Sequence, residues 1–227
     1  MSDDRTPLVE VKVWDLPIRV FHWWFTLMFA VSWISGWIGD RDRHYVSGMI
    51  LLGLVVFRIL YGLVGSPTAR FSHFVRWPGA GFRYLRGAFA HRTPSHTYGH
   101  NAAGGLMVLA LVVLIGLQTV SGMASTDDIL FEGPLYGRVP DWLARILEPL
   151  HEPLAKVLLA LASLHVLVIL VYWLWKRENL VRAMIVGRAR LPRTVGVQEK
   201  STPWGRALIC AAIAAAVPTA IHLKLMS

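Results

Sequence analysis

Five long apolar stretches, separated by polar and charged segments, dominate the pattern along this chain. A helix needs about 20 residues to cross a hydrocarbon core of about 30 Å. The predicted spans are Val20–Gly39, Tyr45–Gly65 with Arg58 inside it, Asn101–Thr126, about Pro149–Trp175, and the shorter, alanine-rich Ala207–Leu223. Because the stretches are continuous instead of alternating, they favour helices over barrel strands. The pattern therefore predicts an all-α integral membrane protein, a four-helix transmembrane bundle with a fifth, C-terminal transmembrane helix.

The first apolar stretch also raises the alternative of a cleaved signal peptide. Such a peptide has a short apolar core followed by small residues at the cleavage site. This stretch is longer and rich in tryptophan, which favours a retained span. The whole chain is 55% hydrophobic and only 16% charged, with a mean hydropathy of +0.48. That composition is too apolar for an ordinary soluble domain.

The net charge of +9 is unevenly distributed along the chain. Segment 66–100 holds five arginines and no acid, and the segment after the fourth span is also strongly basic, whereas segment 124–150 is mainly acidic. Excess Lys and Arg mark the cytoplasmic side of a membrane protein. The basic charge therefore predicts topology and contact with anionic lipid, while nucleic-acid binding would need a separate folded module. We expect the N-terminus to lie in the cytoplasm and the C-terminus to lie outside.

The spans and the charge pattern together divide the chain into four parts. We expect a cytoplasmic N-terminal segment (1–16), a four-helix core (17–176) with an inner loop (66–100) and an outer loop (124–149), a basic cytoplasmic linker (177–203) and a fifth transmembrane helix (204–227). The single cysteine, Cys210, falls in the fifth span, so neither an internal disulfide nor a cysteine-held iron–sulfur cluster can form. We expect a free core thiol.

Histidines provide the first sign of chemistry. Four of the nine lie on predicted spans, namely His22, His44, His151 and His165, and ionisable groups inside membrane segments are rare and usually functional. His151 and His165 are 14 residues apart, which places them on one helix face about 21 Å apart along the axis. By the predicted topology, His44 and His151 share the outer depth, and His22 and His165 share the inner depth.

Two imidazoles at one depth are too few ligands for a bare metal ion. Zinc takes four ligands and other divalent ions take about six. Haem supplies four ring nitrogens of its own, so two axial histidines from facing helices complete its coordination. The pattern predicts a haem-binding bundle with these four histidines as axial ligands. The alternative is that they are packing residues joined by hydrogen bonds between helices.

Two arginines also fall at or inside the spans. Arg58 lies 14 residues after His44 and therefore on nearly the same helix face, toward the inner side. A buried guanidinium needs an anion, and the first four spans offer no obvious carboxylate inside the membrane. A haem propionate is one expected partner of Arg58, and also of Arg19 beside His22. Alternatively, Arg58 extends to the inner membrane surface.

Several motifs resemble a known family over roughly residues 11–190. They are "VKVWDLPIRVFHWW", "HYVSGMILLGLVVFRILYGLVG", "GHNAAGG", "HEPLAKVLLALASLHVLVILV" and "RENLVRAMIVGR". These stretches are similar to the bacterial cytochrome b561 and Ni,Fe-hydrogenase b-type cytochrome subunit family. The resemblance implies a bacterial inner-membrane protein with two b haems, the inner one on His22 and His165 and the outer one on His44 and His151. It also implies quinone as an exchangeable substrate.

Three classes of function follow from these expectations. The favoured one is an electron-transfer subunit between the quinone pool and a periplasmic redox protein such as a cytochrome c, a hydrogenase or a molybdoenzyme. A self-contained quinone-linked oxidoreductase, similar to a superoxide oxidase, is the second. A non-redox membrane anchor or transporter is the third. No catalytic residue is predicted, because the spans contain no polar cluster of substrate size.

Overall fold

The computed structural model describes residues 7–75, 77–89, 97–126, 131–175, 177–192, 195 and 201–225. Parts of both predicted loops, of the linker and of the two termini therefore lie outside the described residues. The helices are α1 (Leu16–Ile38), α2 (Arg41–Val64), α3 (Phe71–Phe74), α4 (Pro78–Phe89), α5 (Ala102–Ala124), α6 (Asp141–Leu147), α7 (His151–Leu174), α8 (Leu180–Val186) and α9 (Trp204–Leu225). A 3-10 turn, Glu148–Leu150, joins α6 to α7.

Each predicted span forms a long helix at the expected place, although the ends differ by a few residues. Helix α1 begins at Leu16 because the side chain of Asp15 accepts a hydrogen bond from the backbone N–H of Ile18. Helix α2 begins at Arg41, since Asp40 caps it in the same way. An apolar run is bounded by charged residues, whereas a helix begins where a side chain caps its first N–H groups. The two boundaries therefore differ by a few residues.

Among the described residues, four helices are long and apolar enough to cross a membrane. They are Arg41–Val64, Ala102–Ala124, the continuous helical stretch Asp141–Leu174, and Trp204–Lys224. Helix α1 is long enough but its mean hydropathy is too low, because its four tryptophans and one histidine count as polar on the hydropathy scale. Tryptophan is enriched where a helix meets the membrane interface. The crossing of α1 therefore stays a prediction, while its helical conformation is confirmed.

A small sheet corrects the expectation of an all-α fold. Strand β1 (Leu8–Lys12) pairs antiparallel with strand β2 (Arg188–Pro192). Val11 and Leu191 are buried on one face of this ribbon, while Glu10 and Arg190 are exposed on the other. An alternation of only five residues is too short to be recognised as a strand in a sequence dominated by apolar runs of helix length. The ribbon ties the chain before α1 to the chain after α7.

Helix α2 is the centre of the bundle, packing against α1, α5 and α9, while α7 packs against α5. The contact with α9 is close because Gly53 lacks a side chain: a Cβ there would lie 2.8 Å from the carbonyl oxygen of Ala214. Small residues let transmembrane helices approach in this way. Cys210 of α9 is a buried free thiol, as expected.

Candidate haem sites

His44 of α2 and His151 of α7 face each other across the bundle. Their ring centroids are 5.9 Å apart and their ring planes are nearly perpendicular, at 88°. Two imidazoles that share one metal through bonds of about 2 Å have centroids about 6 Å apart. The spacing of this pair therefore fits two axial ligands on one iron, as the sequence predicted from helix depth.

The orientation of His44 is set by α1. Its Nδ1 donates a hydrogen bond of 2.8 Å to the backbone carbonyl of Ser32, and because a carbonyl only accepts, the proton sits on Nδ1. Nε2 then carries the lone pair that a metal needs. Gly36 provides the space for this ring, since a Cβ there would lie 2.9 Å from Nδ1 of His44.

His151 is oriented in the same way by α5. Its Nδ1 lies 3.1 Å from the backbone carbonyl of Gln118 and 3.1 Å from Oγ of Ser121. Its Nε2 lies 3.3 Å from the side-chain amide nitrogen of Gln118, so it accepts and carries the lone pair. Gly122 leaves room for the ring, because a Cβ there would lie 2.6 Å from Cε1 of His151.

A cavity of about 240 Å³ adjoins this histidine pair, with walls from α1, α2, α5 and α7. Its lining is mostly apolar, and Gly48 contributes open space, since a Cβ there would meet nothing within 4 Å. In the part of the chain that the structure describes, no three His, Cys, Asp or Glu side chains converge on a metal site. Two oriented imidazoles in an apolar cavity therefore fit haem, which brings its own equatorial donors.

His22 of α1 and His165 of α7 form the second predicted pair. The two imidazoles interact electrostatically. Nδ1 of His22 is buried and has no hydrogen-bond partner among the described residues. A buried polar atom without a partner is uncommon and calls for an explanation. This pair is less fixed by hydrogen bonds to the protein than the His44–His151 pair.

His100, which was not among the predicted site residues, interacts electrostatically with both His22 and His165. It lies just before Asn101, the N-cap of α5, and packs against the rings of Trp14 and Phe74, with centroids 4.6 and 4.5 Å away. Burial, followed in effect by the charge of Arg58, lowers the pKa of His100 to about 3. His100 is therefore neutral at physiological pH. In the sequence only the motif "GHN" before an apolar span could have drawn attention to it.

Arg58 is buried within the protein, with 3% of its surface exposed. Its Nη1 donates to the carbonyl of Ala69 at 3.1 Å, and the guanidinium stacks 4.6 Å from the ring centroid of Phe71. It also interacts electrostatically with Asp15. Asp15 lies before the first apolar stretch, outside the predicted spans, and is buried as the N-cap of α1. The carboxylate that interacts with Arg58 therefore comes from the chain just before the first span.

Arg19 serves a different part of the fold. Its Nε donates to the carbonyl of Met184 at 3.3 Å, and Nη2 donates to that of Ile185, in the last turn of α8. A cation at a helix C-terminus satisfies carbonyls that lack partners within the helix. Arg19, on α1, thus holds α8 against α1 through these two hydrogen bonds. The binding of a haem propionate by Arg19 or Arg58 stays a prediction.

Comparison with known proteins identifies the family of the chain. Residues 13–187 match the family described as prokaryotic cytochrome b561. Two curated relatives, both called "Probable Ni/Fe-hydrogenase 1 B-type cytochrome subunit", come from Escherichia coli strain K12 and from O157:H7. Each is 22% identical over 149 residues, an alignment that covers 55% of this chain and 63% of the relative. The chain thus spans less than two thirds of these relatives. No solved structure matches it.

Proposed function

The chain belongs to the prokaryotic cytochrome b561 family, and from that premise we propose that it holds two b haems and carries electrons between the membrane quinone pool and a periplasmic redox protein. At the coarser level it is a multi-pass membrane b-type cytochrome that functions in electron transfer. The observation that carries the proposal is the oriented His44–His151 pair, with its 5.9 Å centroid spacing.

Each histidine pair has a stated role in this proposal. His44 and His151 bind one iron through Nε2, while Ser32 and Gln118 hold their Nδ1 atoms. His22 and His165 bind the second iron. When bound, each haem supplies an iron that accepts and releases one electron. The oriented imidazoles and the apolar cavity walls keep the ligands in place and limit access of water.

The two proposed sites differ in their electrostatic surroundings. The His22–His165 pair lies near the buried cation Arg58 and near neutral His100. A fixed positive charge favours the reduced, less positive form of a nearby iron and complements negatively charged propionates. Asp15 partly offsets this charge. We therefore propose that the two haems have different midpoint potentials.

The proposed orientation follows from where the basic residues lie. The β1–β2 ribbon brings the start of α1 and the chain after α7 to the same end of the bundle. Basic residues of that end include Lys12, Arg188 and Arg190, which the positive-inside rule assigns to the cytoplasm. We propose a bacterial inner-membrane protein with a cytoplasmic N-terminus and a periplasmic C-terminus at the end of α9.

The proposed periplasmic partner is a hydrogenase, a cytochrome c or another oxidoreductase. The names of the two Escherichia coli relatives support a hydrogenase partner. Acidic residues at the proposed periplasmic end, Glu132, Asp141 and Glu148, would complement a basic surface on the partner and raise the rate of association.

A quinol reduction experiment tests the proposed link to the quinone pool. The oxidised, purified full-length chain is mixed anaerobically with excess ubiquinol or menaquinol in detergent, without any partner protein. We expect absorbance bands of reduced b haem to develop with either quinol or both. Dithionite serves as the control that defines complete reduction.

Two results would contradict parts of the proposed function. Complete reduction by dithionite with none by either quinol would contradict the quinone link while leaving the haem sites standing. Steady quinone reduction by the chain alone when superoxide is supplied would favour the self-contained oxidoreductase instead.

A further inference from the structure

His100 is a buried imidazole that lies outside both proposed ligand pairs. It directly precedes Asn101, whose side chain caps α5 by accepting a hydrogen bond from the N–H of Gly104. Nδ1 of His100 is buried and makes no hydrogen bond to any described residue. A polar nitrogen that is removed from water without a partner costs free energy. The position therefore calls for a partner that the described side chains do not supply.

Packing, instead of hydrogen bonding, holds the His100 ring in place. The ring centroid lies 4.6 Å from that of Trp14 and 4.5 Å from that of Phe74. Phe74 can approach α5 because Gly105 lacks a side chain: a Cβ there would lie 2.7 Å from the carbonyl oxygen of Phe74. Gly99 has a φ of +91°, a left-handed conformation that favours glycine, and so sets the turn that leads into His100. The imidazole is thus fixed before any partner binds.

Arg58 lies against the same phenylalanine as His100. Its Cζ is 5.5 Å from the ring centroid of Phe74 and 4.6 Å from that of Phe71. Nη1 donates to the carbonyl of Ala69, and the guanidinium makes no other hydrogen bond within the described part of the chain. A guanidinium has five N–H donors in a fixed, planar arrangement. Phe74 therefore brings together a guanidinium with free donors and an imidazole with an unpartnered nitrogen.

The charges around His100 favour an anion as the partner. After burial, the groups that most affect the pKa of His100 are Arg58, His165, His22 and His73. All four are bases, and no carboxylate of the described residues is among them. A neutral imidazole has one N–H to donate. A carboxylate that accepts it would also balance the buried charge of Arg58, beside the His22–His165 pair.

We propose that Nδ1–H of His100, together with Arg58, binds a propionate of the haem held by His22 and His165. This inference rests on the proposed function, because it takes that haem as given. A propionate is a carboxylate, and it forms charge-assisted hydrogen bonds with both donors. His22 and His165 hold the iron, whereas His100 and Arg58 hold the carboxylate. The inner haem is therefore bound by the chain at two separate places.

The test compares two variants of nearly equal size, His100→Leu and His100→Asn, with the wild-type full-length chain. Both replacements remove the ring, but only asparagine keeps an N–H near the position of Nδ1. Release of haem to excess apomyoglobin is followed by absorbance, and a redox titration resolves the two midpoint potentials. We expect His100→Leu to release one haem at least about tenfold faster than His100→Asn. The midpoint potential of that haem should also be lower, because an unpaired propionate favours oxidised iron.

The other haem of the same chain is the internal control and should not differ between the two variants. The affected haem should be the one that His165→Ala lacks. Equal haem release and equal potentials in His100→Leu and His100→Asn would overturn the proposal and leave His100 a packing residue. A wild-type chain without haem at His22 and His165 would overturn the proposed function, and this inference with it. If His100→Leu does not fold, His100→Phe is compared with the wild type, since its ring has no donor but keeps the aromatic contacts.

Discussion

The His151→Ala variant is expected to bind about one haem per chain instead of two, and His165→Ala is expected to lose the other haem. Both histidines lie on α7 at different depths, and each belongs to a separate ligand pair. Removing one axial imidazole leaves its iron without the nitrogen that held it, while the distant pair keeps both. Haem content and redox titration of each variant measure the effect.

His222→Ala is the matched control for these two variants. His222 lies on α9, and its Nδ1 contacts the hydroxyl of Tyr45 at 3.0 Å. It is therefore a histidine outside both pairs, on a helix that is long and apolar enough to cross a membrane. This variant should retain two low-spin haems. Two intact low-spin haems in His151→Ala or in His165→Ala would rule out the corresponding ligand assignment.

The Gly122→Ala variant is expected to lose the haem of the His44–His151 pair through a single added methyl group. A Cβ at this position would lie 2.6 Å from Cε1 of His151, which is closer than van der Waals contact allows. Gly122 is on α5, which packs against α7. The added methyl group therefore forces the ring of His151 out of its ligating position. We expect haem content to fall from about two toward one per chain, measured by the haemochrome absorbance.

Gly116→Ala provides the comparison on the same helix. A Cβ at Gly116 would lie 3.6 Å from Cγ1 of Val55, an ordinary contact, so its haem content should stay at two. The two variants make the same chemical change in α5 and differ only in what the methyl group meets. Unchanged haem content and an unchanged low-spin spectrum in Gly122→Ala would contradict the ligand role of His151.

Much of the helical framework could be predicted from the sequence because apolar runs of 20 residues have few alternatives in a membrane. The pairing of His44 with His151 followed from helix depth, and the structure places the two rings 5.9 Å apart. Their role as haem ligands stays a prediction. Depth alone could not identify Ser32, Gln118 or Gly122. Their contacts with the histidines depend on how neighbouring helices are rotated, which a single sequence does not encode in any periodic signal.

The corrections have a common physical origin at the ends of the helices. The β1–β2 ribbon joins segments about 180 residues apart, so no local sequence pattern predicts it. Asp15 falls in the predicted N-terminal segment 1–16, yet as the N-cap of α1 it is buried and interacts with Arg58. Arg19 likewise finds its partners in α8, far along the chain. Polar residues at helix ends take partners that tertiary packing decides.

Haem stoichiometry of the purified full-length chain tests the central claim most directly. The chain is expressed with an adequate haem supply, purified in detergent, and assayed by the pyridine haemochrome method with reduced-minus-oxidised spectra. We expect about two b haems per chain, both low-spin, as two bis-histidine sites require. A stoichiometry of one would contradict the paired assignment, and no bound haem would favour the non-redox anchor or transporter.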